Sequence, residues 1–251
     1  MEIRSTFNST KSYKQHYHNQ LSLGLITSGS TCLKLKEGDI LLKQGDMVLI
    51  DPLKPHACAP IEQKPRSYYM IYINTDWCLQ KMSGLKNTSV SLDCSPYVIQ
   101  NPSLFDTFVR LMQNNSDVLS ELEQLIEATL LLYTNLPSKL NDKNTRAVSI
   151  RNHLLADFEN IPSLEELAQQ HGCSIENIIR LFKKDFGLSP RAYLNSARVE
   201  KGKKLLKKGN SIVDVALDLG FADQSQFHHT FVKYTASTPR QYQKSIFDNN
   251  S

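Results

Sequence analysis

The chain has 251 residues, is 40% hydrophobic and carries a formal net charge of +4. That length allows one or two domains, and no run reaches the roughly 18 consecutive apolar residues that a membrane span needs. The segment Met1 to Lys14 is polar, without the apolar stretch of a signal peptide, and five scattered cysteines form no C-x-x-C pair; a cytoplasmic protein with reduced thiols is expected, not a disulfide-stapled one.

Residues 20 to 75 read as β-structure. In "TCLKLKEGDI", Cys32, Lys34 and Lys36 fall on one face and Leu33 and Leu35 on the other. Glycine-bearing turns recur at "TSGS", "KEGD" and "KQGD", and the strands "MVLIDP" and "SYYMIYIN" follow. Short strands at this spacing predict a small barrel or sandwich.

After Pro96 the pattern becomes helical. Pro102 to Asn114 suits one helix and 117–136 a longer one. In the longer helix Val118, Leu122, Leu125, Thr129, Leu132 and Leu136 follow heptad spacing. Leu119, Ile126, Leu130, Leu131 and Tyr133 widen the apolar arc, so the helix suits either an ordinary core position or a homodimer contact through 117–136. The polar, Pro-started stretch "PSKLNDKN" marks an interdomain linker over 138–144, between a domain spanning 1–137 and one spanning 145–251.

Charge divides unevenly across that linker. Met1 to Pro137 holds 12 basic against 13 acidic side chains, and Ser138 to Ser251 holds 17 against 12. The second half is the better candidate for a polyanionic partner.

That half also repeats itself. Phe182, Pro190 and Tyr193 recur 49 residues later as Phe231, Pro239 and Tyr242; Ala168 and Gly172 recur 48 later as Ala216 and Gly220. Each copy has the parts of a helix-turn-helix. A short helix carries a small alanine for the helix crossing, a glycine makes the tight turn, and a polar residue, Ser174 or Asp223, caps the second helix. The second helix buries Ile178, Leu181 and Phe182 in one copy and Phe227 and Phe231 in the other. Its opposite face shows Glu176, Asn177, Ile179, Arg180, Lys183 and Lys184, or Gln224, Ser225, Gln226, His228 and His229 with Lys233 beyond. Amides can bond an adenine edge twice and arginine a guanine edge, while lysines suit phosphates. The segment between the copies forms one long helix. Its lysines 201, 203, 204, 207 and 208 serve either backbone attraction or solubility.

Residues 147–242 resemble the AraC/XylS family of bacterial transcription regulators. The resemblance rests on "LAQQHGCSIENIIRLFKKDFGLSPRAYL", the link "ARVEKGKKLL" and "IVDVALDLGFADQSQFHHTFVKY" with "TPRQY". It implies an α+β protein of two domains, the second all-α, with two helix-turn-helix units joined by a long helix that bind double-stranded promoter DNA. Base reading falls on Glu176, Ile179 and Arg180, then Gln224, Ser225 and His229. An activator acting with RNA polymerase is expected. The sequence departs from the family where His229 replaces a usual arginine, Val232 a basic residue and Ala236 a glycine. The second head should therefore grip less tightly and gain pH sensitivity.

"HYHNQLSLGLITSG" and "GDMVLIDPLKPHACAP" resemble the cupin-like sensor domain of many such regulators. The resemblance implies a β-barrel that binds a small-molecule effector, with His16, His18, His56, Tyr17 and Tyr68 as candidate contacts and Tyr69 as another aromatic. Metal-binding cupins add a glutamate where Ser22 stands here, so no metal and no other cofactor is expected, although Cys58 lies two residues after His56. Two other readings are a constitutive DNA-binding regulator whose barrel only dimerises and a metal-dependent cupin enzyme. No paired carboxylates, nucleophile motif or phosphate loop supports an enzyme.

Overall fold

A computed structural model describes residues 1–83, 90–94, 97–114, 118–139 and 145–247. They form two compact units. One gathers Met1–Lys11, Tyr17–Lys54 and Cys58–Asn141; the other gathers Ser12–His16, Pro55–Ala57 and Asp142–Ser251.

The first unit is sheet-rich. Its five-stranded sheet has the order β1 (Glu2–Ser9), β7 (Arg66–Ile73), β2 (Leu21–Ser28), β5 (Met47–Ile50) and β9 (Val98–Ile99). The neighbouring pairs are antiparallel, with Leu23 opposite Leu49 on one side of β2 and Ile71 on the other. A three-stranded sheet runs β4 (Gly38–Lys43), β3 (Ser30–Leu35) and β6 (Ala57–Pro60). Along β3 the expected alternation holds: Leu33 and Leu35 are buried and Lys34 is exposed. Three helices cover one face of the large sheet: α1 (Thr75–Ser83), α2 (Pro102–Gln113) and α3 (Leu119–Tyr133). Leu21, Leu23 and Leu25 of β2 meet Phe108, Leu122, Ile126 and Leu130 in one apolar core. Each such side chain contributes roughly 1.5–3 kcal/mol on burial.

Strand β1 was not expected from the sequence. Its polar Glu2 and Arg4 turn inward and pair at 2.8 Å, while Ile3 and Phe7 are exposed, which reverses the usual pattern. Helix α3 is shorter than expected. Asp117 lies outside the described residues, and Leu136 belongs to β10 (Asn135–Lys139), which pairs with β8 (Val90–Asp93). The heptad seam fails as a single face: Leu122 and Thr129 are buried, but Leu132 is 75% exposed. A straight helix drifts about 20° per heptad from a 3.5-residue repeat, so the buried stripe instead follows Leu122, Ile126, Thr129 and Leu130. Of the expected linker, Ser138 and Lys139 belong to β10, and residues 140–144 lie outside the described residues.

The second unit holds α4 (Thr145–Leu154), α5 (Leu164–Gln170), α6 (Ile175–Phe186), α7 (Pro190–Lys207), α8 (Ile212–Asp218), α9 (Gln224–Thr235) and α10 (Pro239–Phe247). Polar caps open several of these helices. Ser163 caps α5 in a reciprocal box with Glu166, Ser189 caps α7 ahead of Pro190, and Ser211 caps α8. The α5–α6 and α8–α9 pairs turn identically. Gly172 and Gly220 adopt φ of 56° and 67°, and the next residue donates to the crossing alanine: Cys173 N–H to Ala168 C=O and Phe221 N–H to Ala216 C=O, both at 3.0 Å. The duplicated aromatics also close on one another. Tyr193 packs on Phe182 with ring centres 5.8 Å apart, and Tyr242 packs on Phe231 at 5.5 Å.

Candidate nucleic-acid interface

Helix α6 starts where the Ser174 hydroxyl accepts from Asn177 N–H at 3.2 Å. Ile178, Leu181, Phe182 and Phe186 face the core. Spacing of three and four residues leaves Glu176, Arg180, Lys183 and Lys184 exposed on the other side, with Asn177 and Ile179 half-buried at its margins. Arg180 donates to the Asn177 side-chain oxygen at 3.1 Å, which aims its guanidinium along the helix. Hydrogen bonds from its own backbone N–H and from Ser174 hold the Glu176 carboxyl below the usual carboxylate range, so it presents acceptors at neutral pH. A concavity beside α6 is lined by Arg146, Asn177, Arg180, Leu181 and Lys184. Arg146 stands on α4, outside the repeat, and sequence reasoning missed it because the repeat drew attention to α6 alone.

Helix α9 starts where Asp223 accepts from Gln226 N–H at 2.7 Å. Phe227 and Phe231 are fully buried. Gln224, Ser225, Gln226 and His229 are exposed and His228 is half-buried, its ring 5.7 Å from that of His229. Lys233 is exposed one turn beyond His229. Gln226 also serves its own helix, because its side-chain oxygen accepts from Ala222 N–H at 3.0 Å. This bond occupies the acceptor half of an amide expected to read bases.

Helix α7 differs from a solvated, lysine-studded rod. Lys203 is 8% exposed and pairs with the equally buried Glu200 at 2.5 Å, and Lys201 covers the Phe158 ring at 4.7 Å. Lys204, Lys207 and Lys208 face solvent.

The candidate effector residues are all buried. His16 and His56 form an antiparallel bridge, with N–H to C=O distances of 2.9 and 2.8 Å and ring centres 4.6 Å apart. The His16 Nδ1 lies 2.6 Å from the Lys14 carbonyl, which makes it the donor and fixes the tautomer. His18 belongs to the sheet-rich unit, where its ring meets Tyr72 edge-on at 4.9 Å. Tyr17, Tyr68 and Tyr69 are 4%, 8% and 8% exposed, and Arg66 stacks over Tyr68. Tyr69 packs in the core under the helices. Tyr72 and Ser22 are cross-strand partners on one face of the sheet. The Ser22 hydroxyl is fully buried and has no hydrogen-bond partner among the described residues. Burial pushes the Cys58 thiol up to about 11, against the pull of Arg66. No helix of the described residues is long and apolar enough to cross a membrane.

Comparison with known proteins agrees with this division. Residues 4–134 match the family described as the AraC-like ligand binding domain, and residues 167–245 match a helix-turn-helix domain. An HTH-type transcriptional regulator of Bacillus subtilis, YbfI, is 23% identical over 85% of this chain and 80% of its own length. One of Haemophilus influenzae is 24% identical over 88% and 85%. Among solved structures, an apo variant of ToxT from Vibrio cholerae superposes with a TM-score of 0.62 at 13% identity, covering 97% of both chains. ToxT with an unsaturated fatty acid bound gives 0.61 at 14%, over 96% of this chain and 94% of ToxT.

Proposed function

This chain belongs to the AraC family of ligand-controlled, DNA-binding transcription regulators, and from that premise we propose that α6 and α9 are its two base-reading helices. The observation that carries the reading is the pair of matched turns, each followed by a helix with a buried aromatic face and an exposed polar one. Arg180 reads a guanine edge, with Glu176 and Ile179 beside it. Gln224, Ser225 and His229 read the second half-site. Arg146, Lys183, Lys184 and Lys233 hold phosphates, which set register without selecting sequence.

The sheet-rich domain binds a small-molecule effector on the face that bears Ser22, Tyr72 and His18. A buried hydroxyl without a partner costs about 1–3 kcal/mol, and a polar ligand would relieve that cost. The effector acts by its differential affinity for two states of the regulator. The fatty acid seen in ToxT supports control by a small ligand and does not identify this one. A homodimer forms through α3, where Leu131 and Leu132 are 58% and 75% exposed. The protein works in the cytoplasm as an activator, in contact with RNA polymerase.

Selection of bound duplexes from a random pool, followed by footprinting, tests the first claim. Two protected half-sites about one helical turn apart are expected. Protection that survives Arg180→Ala and Gln224→Ala together would refute it. In-vitro transcription from the selected site, with and without ligands that shift the melting temperature, separates activation from repression and tests the effector.

A further inference from the structure

We infer that Arg198 is a positioning residue that sets the helical phase between the two reading helices. The inference rests on the reading that α6 and α9 both enter DNA.

The connecting helix α7 serves two cores. Near its start Tyr193 packs on Phe182 and Phe186 of the first repeat. Further on, Val199 and Leu206 join the core of the second. With the first end of the helix fixed, the orientation of the second repeat is set by the contacts that repeat makes with the far end. Gly202 lets the second repeat come close, because a Cβ there would meet Leu219 and the Phe227 ring at 3.1 and 3.2 Å. Close approach alone does not select one rotation.

Arg198 does. It stands one turn before Gly202 on the same face. Its Nη2 donates to the Gly220 carbonyl at 2.7 Å, and its guanidinium lies 4.7 Å from the Phe221 ring centre. Gly220 is the turn of the second repeat. A Cβ on it would fall 1.9 Å from the Phe158 carbonyl, and Phe158 lies in the loop between α4 and α5, ahead of the first repeat. The turn of one repeat is thus held between the connecting helix and the loop that precedes the other repeat. A planar guanidinium that both stacks and donates tolerates little rotation.

Two alternatives fit less well. The groove beside Arg198 is also lined by Glu159 and Asp218, whose charges disfavour a DNA phosphate there. General stability is a poor account too, since the Arg198 Nε is buried with no hydrogen-bond partner among the described residues, a cost that an apolar side chain would avoid.

The test uses the full chain and a duplex selected by the wild-type protein, with zero to three base pairs inserted between the half-sites. Each base pair turns the second site by about 34°. Wild type should lose about tenfold or more in affinity for one or two insertions, as expected when contacts worth 1–3 kcal/mol are misplaced. Arg198→Met, which still covers Phe221 but cannot donate, should bind the parent duplex more weakly and show a spacing dependence of about threefold or less. Arg198→Lys, which donates without a planar stack, should fall between. An unchanged spacing preference in R198M overturns the phasing role. So does an equal loss on every duplex that tracks a fall in melting temperature in both variants. Wild-type protection of a single half-site at all spacings would instead refute the two-headed reading, and the phasing role with it.

Discussion

The first of the two matched helices, α6, runs from a Ser174 cap to Gly187 in the left-handed region; the second, α9, runs from Asp223 to Ala236 in the same region. Their buried faces match residue for residue at Phe182 and Phe231. Their outer faces do not. α6 shows Arg180, Lys183 and Lys184 with Arg146 alongside, whereas α9 shows amides, hydroxyl and imidazoles with Lys233 alone as a fixed positive charge. Duplication preserved what the fold demands, namely the crossing alanine, the turn glycine and the aromatic knob, and left the solvent side open to change. On the reading proposed above, the first head holds polyanion and the second discriminates with hydrogen bonds.

The largest effects test whether the shared scaffold is equally stable in both copies. Phe182→Ala and Phe231→Ala should each cost about 3–5 kcal/mol in denaturant unfolding. A much smaller cost for F231A would mean that the second repeat is loosely packed. Next comes the difference in outer faces. Arg180→Ala should cost about 1–3 kcal/mol of specific binding and relax one base position, measured by competition among duplexes; uniform loss across sequences would demote Arg180 to a phosphate contact. Arg146→Ala should weaken binding evenly and reduce the salt slope by about one. An unchanged slope in a titration from low to moderate salt would remove Arg146 from the interface.

A smaller effect lies at the helix ends. Ala236 has φ of 55°, which costs an ordinary residue roughly 1–2 kcal/mol. Ala236→Gly should therefore raise stability by about 1 kcal/mol, and Gly187→Ala should lower it. The smallest is confined to the first repeat. Burial, His153 and Arg146 lower the His171 pKa, so the folded state disfavours the protonated ring. Stability from this source is complete above the ordinary histidine pKa and declines as pH falls through it toward the lowered value. Thermal melts from pH 7.5 to 5 should show a slight decline that His171→Gln flattens.

Much of the helical unit was legible because caps and turns are local chemistry: Ser174, Asp223, Gly172 and Gly220 each act within a few residues of themselves. The alternation of β3 was legible for the same reason. What escaped depends on tertiary placement. Strand β1 turns Arg4 inward and Phe7 outward, so its pattern argues against itself. Residues 118–136 satisfy a heptad that the helix does not use, because the sheet beneath selects Ile126 and Leu130 over Leu132. Arg146 joins the concavity beside α6 through the packing of α4 on α6, and nothing in its neighbours announces that. Gln226 reads as a base contact from its position, yet it also braces Ala222.

The Glu200–Lys203 pair ties two codons together. Both residues are buried, so a lineage that loses one partner strands the other's charge away from water, at a cost of about 3–5 kcal/mol. Drift at either position is tolerable only when the other follows or both become apolar. The middle of the connecting helix is thereby more constrained than its lysine-rich composition suggests.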